Sequence, residues 1–208
     1  MQRINPFEKC PVYETESLLF TLVKEEDAID LFECYSDPIT KGHMNNDNCG
    51  GIWDFYGIEP VFRAIRGWIE VFKEKFFIRW SVTDKATHKI IGTIEIAPIP
   101  NTTRFLDGEC KLGILRMDMI SSSEKESVFT EILNMATHHF FNDFAIEEII
   151  TKAEKIDAPR VLALKSCMFS EVPDKTILPY QDYYIKRTRN TNVNEIDELN
   201  SRMKEGVS

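Results

Sequence analysis

The chain has 208 residues, 43% of them hydrophobic and 28% charged, the balance of one medium folded domain rather than a disordered segment or a pair of full domains. Its 34 acidic and 25 basic residues leave a net charge of −9, which sets the surface against nucleic acid and other polyphosphates unless basic groups cluster locally. No apolar run reaches the roughly 18 residues needed to cross a bilayer, so no membrane partner is expected.

Ser17 to Val23 is short, apolar and partly alternating, and predicts an opening strand. Lys24 to Tyr35 carries Ala28, Leu31, Phe32 and Tyr35 at helical spacing, with acids in the first turn where the helix dipole favours them. Ser36-Asp37-Pro38 ends that helix, and Ile39 to Gly57 predicts a loop with aromatic tips. Helical period returns from Ile58 to Phe76. Phe77 to Thr83 and Lys89 to Ala97 then read as a hairpin turned at Asp84 to His88. After a loop from Pro98 to Gly108, Cys110 to Met119 is a further strand. Ser121-Ser122-Ser123 opens a helix to about Phe141, where Ser121/Glu124 and Ser123/Glu126 both have capping-box spacing. Its predicted inner face holds Val128, Ile132, Met135, Ala136 and His139. Glu147 to Ala153 is a strand, Pro159 to Cys167 a short helix with proline near its first position, and Gln181 to Arg187 a last strand.

This order gives one mixed sheet flanked by helices, an α/β domain over residues 14–189, with an N-terminal extension at 1–13 and a polar tail at 190–208. The opening residues Met1 to Pro6 lack the apolar stretch of a secretory signal. Cys10, Cys34, Cys49, Cys110 and Cys167 are scattered and form no C-x-x-C pair, which reads as reduced thiols in a cytoplasmic protein. The histidines lie away from any cysteine pair, and the adjacent His138 and His139 point in different directions on a helix, so no metal site is expected.

Glu14 to Phe20 (ETESLLF) resembles the "ETERLxLR" opening strand of the GNAT superfamily of acyl-coenzyme A N-acyltransferases. Glu25-Glu26-Asp27-Ala28 through Tyr35-Ser36-Asp37-Pro38 resembles its "EEDAxxLxxxxSDP" first helix. Lys89 to Ile94 resembles the "xIGxIxL" hairpin arm, Leu112-Gly113-Ile114-Leu115 the "LGYxL" strand, and Thr130-Glu131-Ile132-Leu133 the "TEAL" turn. Asp157 to Phe169 has the pattern of "NxxSxxxLEKxGF". Together these span nearly the whole chain and look closest to the branch of ribosomal-protein (Rim-type) N-acetyltransferases. The resemblance implies a mostly antiparallel mixed sheet with a splayed strand pair. It also implies acetyl transfer from acetyl-coenzyme A (acetyl-CoA) to a primary amine of a small molecule or peptide, by direct attack on the thioester, in a monomer or homodimer.

In that family the cofactor lies along the central strand, here beside Met117 and Met119, and its diphosphate rests on the next helix's N-terminus. The usual "Q/R-x-x-G-x-G/A" loop aligns with Glu124-Lys125-Glu126-Ser127, so Lys125 and Ser127 replace both glycines and two carboxylates enter the anion site. Like charges at about 4 Å cost roughly 1 kcal/mol in water and several times more near a protein surface. Two readings stay open: a phosphate site using Lys125 and Ser127, or a helix capped by its own serines that binds no anion. The second would make the chain a GNAT-like binding or regulatory module without coenzyme A.

The resemblance places Asp157 where an asparagine commonly touches the cofactor, and Leu164 where a tyrosine often protonates the leaving thiolate. Glu95 is the candidate general base, or else an outward-facing strand residue, and Asp118 ends the strand beside the thioester channel or serves a turn. Tyr183 and Tyr184 point to opposite faces of the last strand, and Tyr183 is the candidate for the pocket, with core packing as the alternative. Trp53, Phe55 and Tyr56 are candidates for the wall of an acceptor pocket, with core packing as the alternative. Cys167 has no acidic or histidine partner nearby in sequence, which counts against a nucleophile.

Overall fold

In the computed structural model, residues 5–39, 55–99, 111–172 and 181–188 are described. Alternating apolar side chains build the strands β1 (Tyr13–Glu14), β2 (Leu18–Leu22), β3 (Ile78–Asp84), β4 (Ile90–Ile99) and β5 (Leu112–Met119). β6 (Glu148–Lys152), β7 (Ser170–Glu171) and β8 (Tyr183–Arg187) complete the set. The described strands form an eight-stranded sheet in the order β1-β2-β3-β4-β5-β6-β8-β7. Among them only β5 and β6 run parallel. The helices are α1 (Ala28–Tyr35), α2 (Ile58–Lys73), α3 (Glu126–Asp143) and α4 (Ala158–Ser166). Every predicted element is present, and the mixed, mostly antiparallel sheet agrees with the expected class. The two-residue strands β1 and β7 were not foreseen, because two residues carry no period. Trp53, the histidine at position 43 and the tail at 190–208 lie outside the described residues.

Strand alternation sorts the two layers. Trp80, Ile94, Leu115 and Met117 point into the main core, which α3 and α4 cover with Phe129, Phe140 and Leu164. On the other face Leu31, Tyr35, Val61, Ile65 and Trp68 of α1 and α2 form a second cluster. The inner face of α3 differs from expectation. Phe129 and Phe140 are buried in full, whereas Val128 and His139 are only half-buried, because the two large rings swing the apolar stripe one position toward the sheet. Part of the expected N-terminal extension also lies against the core. Phe7 stacks on Phe72 at 6.3 Å, and Trp80 Nε1 donates to the Pro11 carbonyl at 2.8 Å.

Between the sheet and α1/α2 lies a buried ion cluster. Arg79, 2% exposed, donates to Glu95 Oε2 from Nη2 at 2.6 Å and from Nε at 3.0 Å. Its Nη1 reaches Asp118 Oδ2 at 2.9 Å and the Tyr35 hydroxyl at 2.8 Å. Arg116 donates to the other Glu95 oxygen, and the Trp68 ring lies 4.4 Å from the Arg79 guanidinium carbon. Burial alone works against the charged guanidinium, but the Glu95 and Asp118 carboxylates more than offset it and hold its pKa above the ordinary value. Burial pushes the Tyr35 phenol up as well, so it stays neutral and donates to Asp118 at 3.2 Å. Among the described residues, four charged side chains, two of each sign, thereby fasten β3, β4 and β5 together.

Close contact between β4 and β5 depends on Gly92, beside a register shift at Val82/Thr83. Its φ is +157°, and a Cβ there would stand 2.1 Å from the Asp118 carbonyl oxygen. Gly92→Ala is therefore expected to destabilise the fold by about 3 kcal/mol or more. A urea midpoint equal to wild type would contradict the contact. Asp118→Ala leaves Arg79 undercompensated in the interior and should cost about 3–5 kcal/mol in the same measurement. Lys73→Ala, which removes the exposed pair with Glu70, should leave the midpoint near that of the wild type.

Candidate active site

β5 is bonded along its whole length to β4, from Ile99↔Leu112 to Gly92↔Met119. Toward β6 it pairs only at Leu112↔Glu148, Gly113↔Ile149 and Ile114↔Ile150. Beyond Ile114 the β5/β6 pairing stops, although β6 stays bonded to β8 along its other edge through Thr151 and Lys152. A wedge opens between Leu115–Met119 and the end of β6, as the resemblance implied. Met117 and Met119 are 1% and 0% exposed and turn their side chains into the core, so each offers the wedge main-chain atoms alone.

Ser121–Ser123 form a short 3-10 turn after β5, fixed by the Ser121 amide donating to Asp37 Oδ2 at 2.9 Å. Lys125 is the N-cap of α3, and no side chain caps the helix. The first intrahelical bond runs from Phe129 N–H to the Lys125 carbonyl at 3.1 Å. Neither capping box forms, because the serines are taken up in a turn of their own ahead of the helix. Among the described residues nothing accepts from the amides of Glu126, Ser127 and Val128. The self-capped reading is thus corrected, and this end keeps the donors and positive dipole of an anion site. The side chains of Lys125, Glu126 and Ser127 are exposed there.

Sequence reasoning missed Arg160. Its side chain is 4% exposed and spans the mouth of the wedge. Nη1 donates to the Met117 carbonyl at 2.7 Å, Nε to Asp157 Oδ2 at 2.7 Å, and Nη2 to Glu124 Oε1 at 3.2 Å, with the Phe129 ring 4.6 Å from the guanidinium carbon. Asp157, placed by resemblance at the cofactor, is the N-cap of α4 and accepts the Arg160 amide at 3.3 Å. The one signal in the sequence was the Asp157-x-x-Arg160 spacing at a helix start, which puts the two side chains on one face.

The structure brings Met117, Met119, Glu124, Lys125, Glu126, Ser127 and Asp157 to the wedge and the helix end beside it. Glu95 is 2% exposed rather than outward-facing, and its carboxylate lies between two guanidinium groups. Asp118, 1% exposed, belongs to the same ion cluster and not to a turn. Tyr183 is buried with Leu112, Ile150 and Ile185, on the β6/β8 side of the wedge and on the sheet face that carries Asp118. Phe55 packs edge-on against Tyr35 at 5.6 Å, while Tyr56 is 88% exposed. Leu164 lies in the main core, and burial raises the Cys167 thiol pKa, which counts against a nucleophile. No described helix is long and apolar enough to cross a membrane.

No protein-family model matches the chain. An uncharacterized N-acetyltransferase of Bacillus subtilis, YoaA, is 29% identical over 85 residues, 40% of this chain and 44% of that protein, so the match spans less than half of either. Solved structures align over much more. The ribosomal-protein-S5-alanine acetyltransferase of Vibrio fischeri superposes with a TM-score of 0.61 at 17% identity, over 88% of this chain and 99% of that one. The RimL ribosomal L7/L12 α-N-protein acetyltransferase in complex with coenzyme A superposes at 0.63 and 10% identity, over 85% and 98%. The wedge between β5 and β6, the helix that follows it and this near-complete superposition agree: the chain has the fold of the GNAT acetyltransferases.

Proposed function

We propose that the protein transfers an acetyl group from acetyl-CoA to a primary amine, by direct attack of the amine on the thioester. The observation that carries this reading is the wedge beyond Ile114, which opens beside a helix whose leading amides lack acceptors among the described residues. The fold shared with an acetyltransferase complexed with coenzyme A supports the same ligand here. Main-chain groups of β5 at Met117 and Met119 line the pantetheine arm, and the amides of Glu126 to Val128 with Lys125 receive the diphosphate. Holding amine and thioester together removes much of the entropic barrier, and a β5 amide stabilises the oxyanion. Glu95 and Asp118, held by Arg79 and Arg116, act as positioning residues that fix β5. Tyr183, on the far side of the wedge, is the hydroxyl that protonates the leaving thiolate. A peptide amino terminus is the favoured acceptor class, by analogy with the ribosomal-protein enzymes of the same fold.

Acetyl-CoA at about one hundred times its Kd should stabilise the protein by about 2.7 kcal/mol, or raise Tm by about 5–10 °C. Absence of both calorimetric heat and thermal shift at millimolar ligand would favour the binding module without coenzyme A. Tyr183→Phe should lower kcat by about a hundredfold while KM for acetyl-CoA stays within about threefold. Thiol release measured with peptides bearing a free or a blocked amino terminus checks both the rate and the acceptor.

A further inference from the structure

Arg160 holds three acceptors of unequal permanence. Asp157 caps α4, and the Met117 carbonyl belongs to a strand, so neither can leave without disturbing the fold. The Glu124 carboxylate is different. It comes from the single residue between the Ser121–Ser123 turn and the N-cap of α3, and its 3.2 Å contact is the longest of the three. Both side chains are largely withdrawn from solvent, Arg160 at 4% and Glu124 at 10% exposure. A carboxylate is thus seated on a buried guanidinium immediately ahead of a helix whose first amides have no acceptor among the described residues.

Resting on the coenzyme reading above, we propose that the Glu124 carboxylate is an internal stand-in for the cofactor diphosphate, which displaces it from Arg160 on binding. Arg160 Nη2 then supplies a charged donor that partly replaces the missing loop glycines. Glu124 lowers affinity twice, by holding the guanidinium in the empty state and by repelling the incoming anion. The site is therefore selective for a ligand with enough negative charge to win the exchange. The arm that enters the wedge beside β5 does not take part in it.

The test is calorimetric titration of coenzyme A, and separately of pantetheine, which lacks the diphosphate, into wild type and Glu124→Gln. The variant should bind coenzyme A about tenfold more tightly and change pantetheine affinity by less than about twofold. Glu124→Ser, with a shorter neutral side chain, should shift coenzyme A binding in the same direction, and Tm of each variant reports its folding. Unchanged or weaker coenzyme A binding in both folded variants overturns the proposal, as does equal tightening of pantetheine. Wild-type binding without a gain in the variants defeats this inference alone. No binding of coenzyme A by any of the proteins defeats the acetyltransferase reading with it.

Discussion

Strand β5 is gripped on one side and released on the other, and the site follows from that asymmetry. Its ladder with β4 runs from Leu112 to Met119, while its ladder with β6 ends at Ile114. An unpaired strand edge in an interior is costly unless something satisfies its polar groups. Here the Met117 carbonyl is satisfied by Arg160, a side chain rather than a neighbouring strand. That guanidinium stays on the strand, while the Glu124 carboxylate it also holds can be exchanged for a ligand without breaking a ladder. The wedge is therefore a place where the fold is complete and yet open to substitution.

Two buried arginines serve opposite faces of this strand. Arg79 lies under the sheet with Glu95 and Asp118, its guanidinium over Trp68. Arg160 lies in the wedge with Asp157 and Glu124, its guanidinium over Phe129. Asp118 and Met117, adjacent on β5, contribute a side chain to one cluster and a carbonyl to the other. Each guanidinium is planar, carries several donors and tolerates an aromatic face, which suits it to a desolvated position that lysine would fill poorly. At the wedge the carboxylates of Asp157 and Glu124 share the one Arg160 guanidinium, so part of the chain's acidic surplus is carried into the site.

Most of the fold was legible because its signals are local and repeated. Alternation located the longer strands, Ser36-Asp37-Pro38 ended α1, and the loop order with the "LGIL" and "TEIL" segments placed the splayed pair. The site was read less well, for a physical reason. Ser121 to Ser123 have capping chemistry, but the chain turns once more before α3 begins, and that choice depends on Asp37, more than eighty residues earlier. Arg160 was not singled out, since nothing local shows that a strand carbonyl waits in front of it. Glu95 looked like a base or a solvated residue because its partners, Arg79 and Arg116, lie on two other strands. Long-range charge matching leaves no periodic trace.

The charge balance of the Arg79 cluster has an evolutionary side. Among the described residues two cations and two anions meet where water screens them poorly, so the loss of any one leaves a surplus that the interior penalises. Substitutions at positions 79, 95, 116 and 118 are then strongly epistatic, tolerated as coordinated replacements and purged as single steps. A lineage that exchanged this quartet for apolar residues would have to pass through a fitness valley or change several codons together. Drift would reach these positions last, long after the surface around them had diverged.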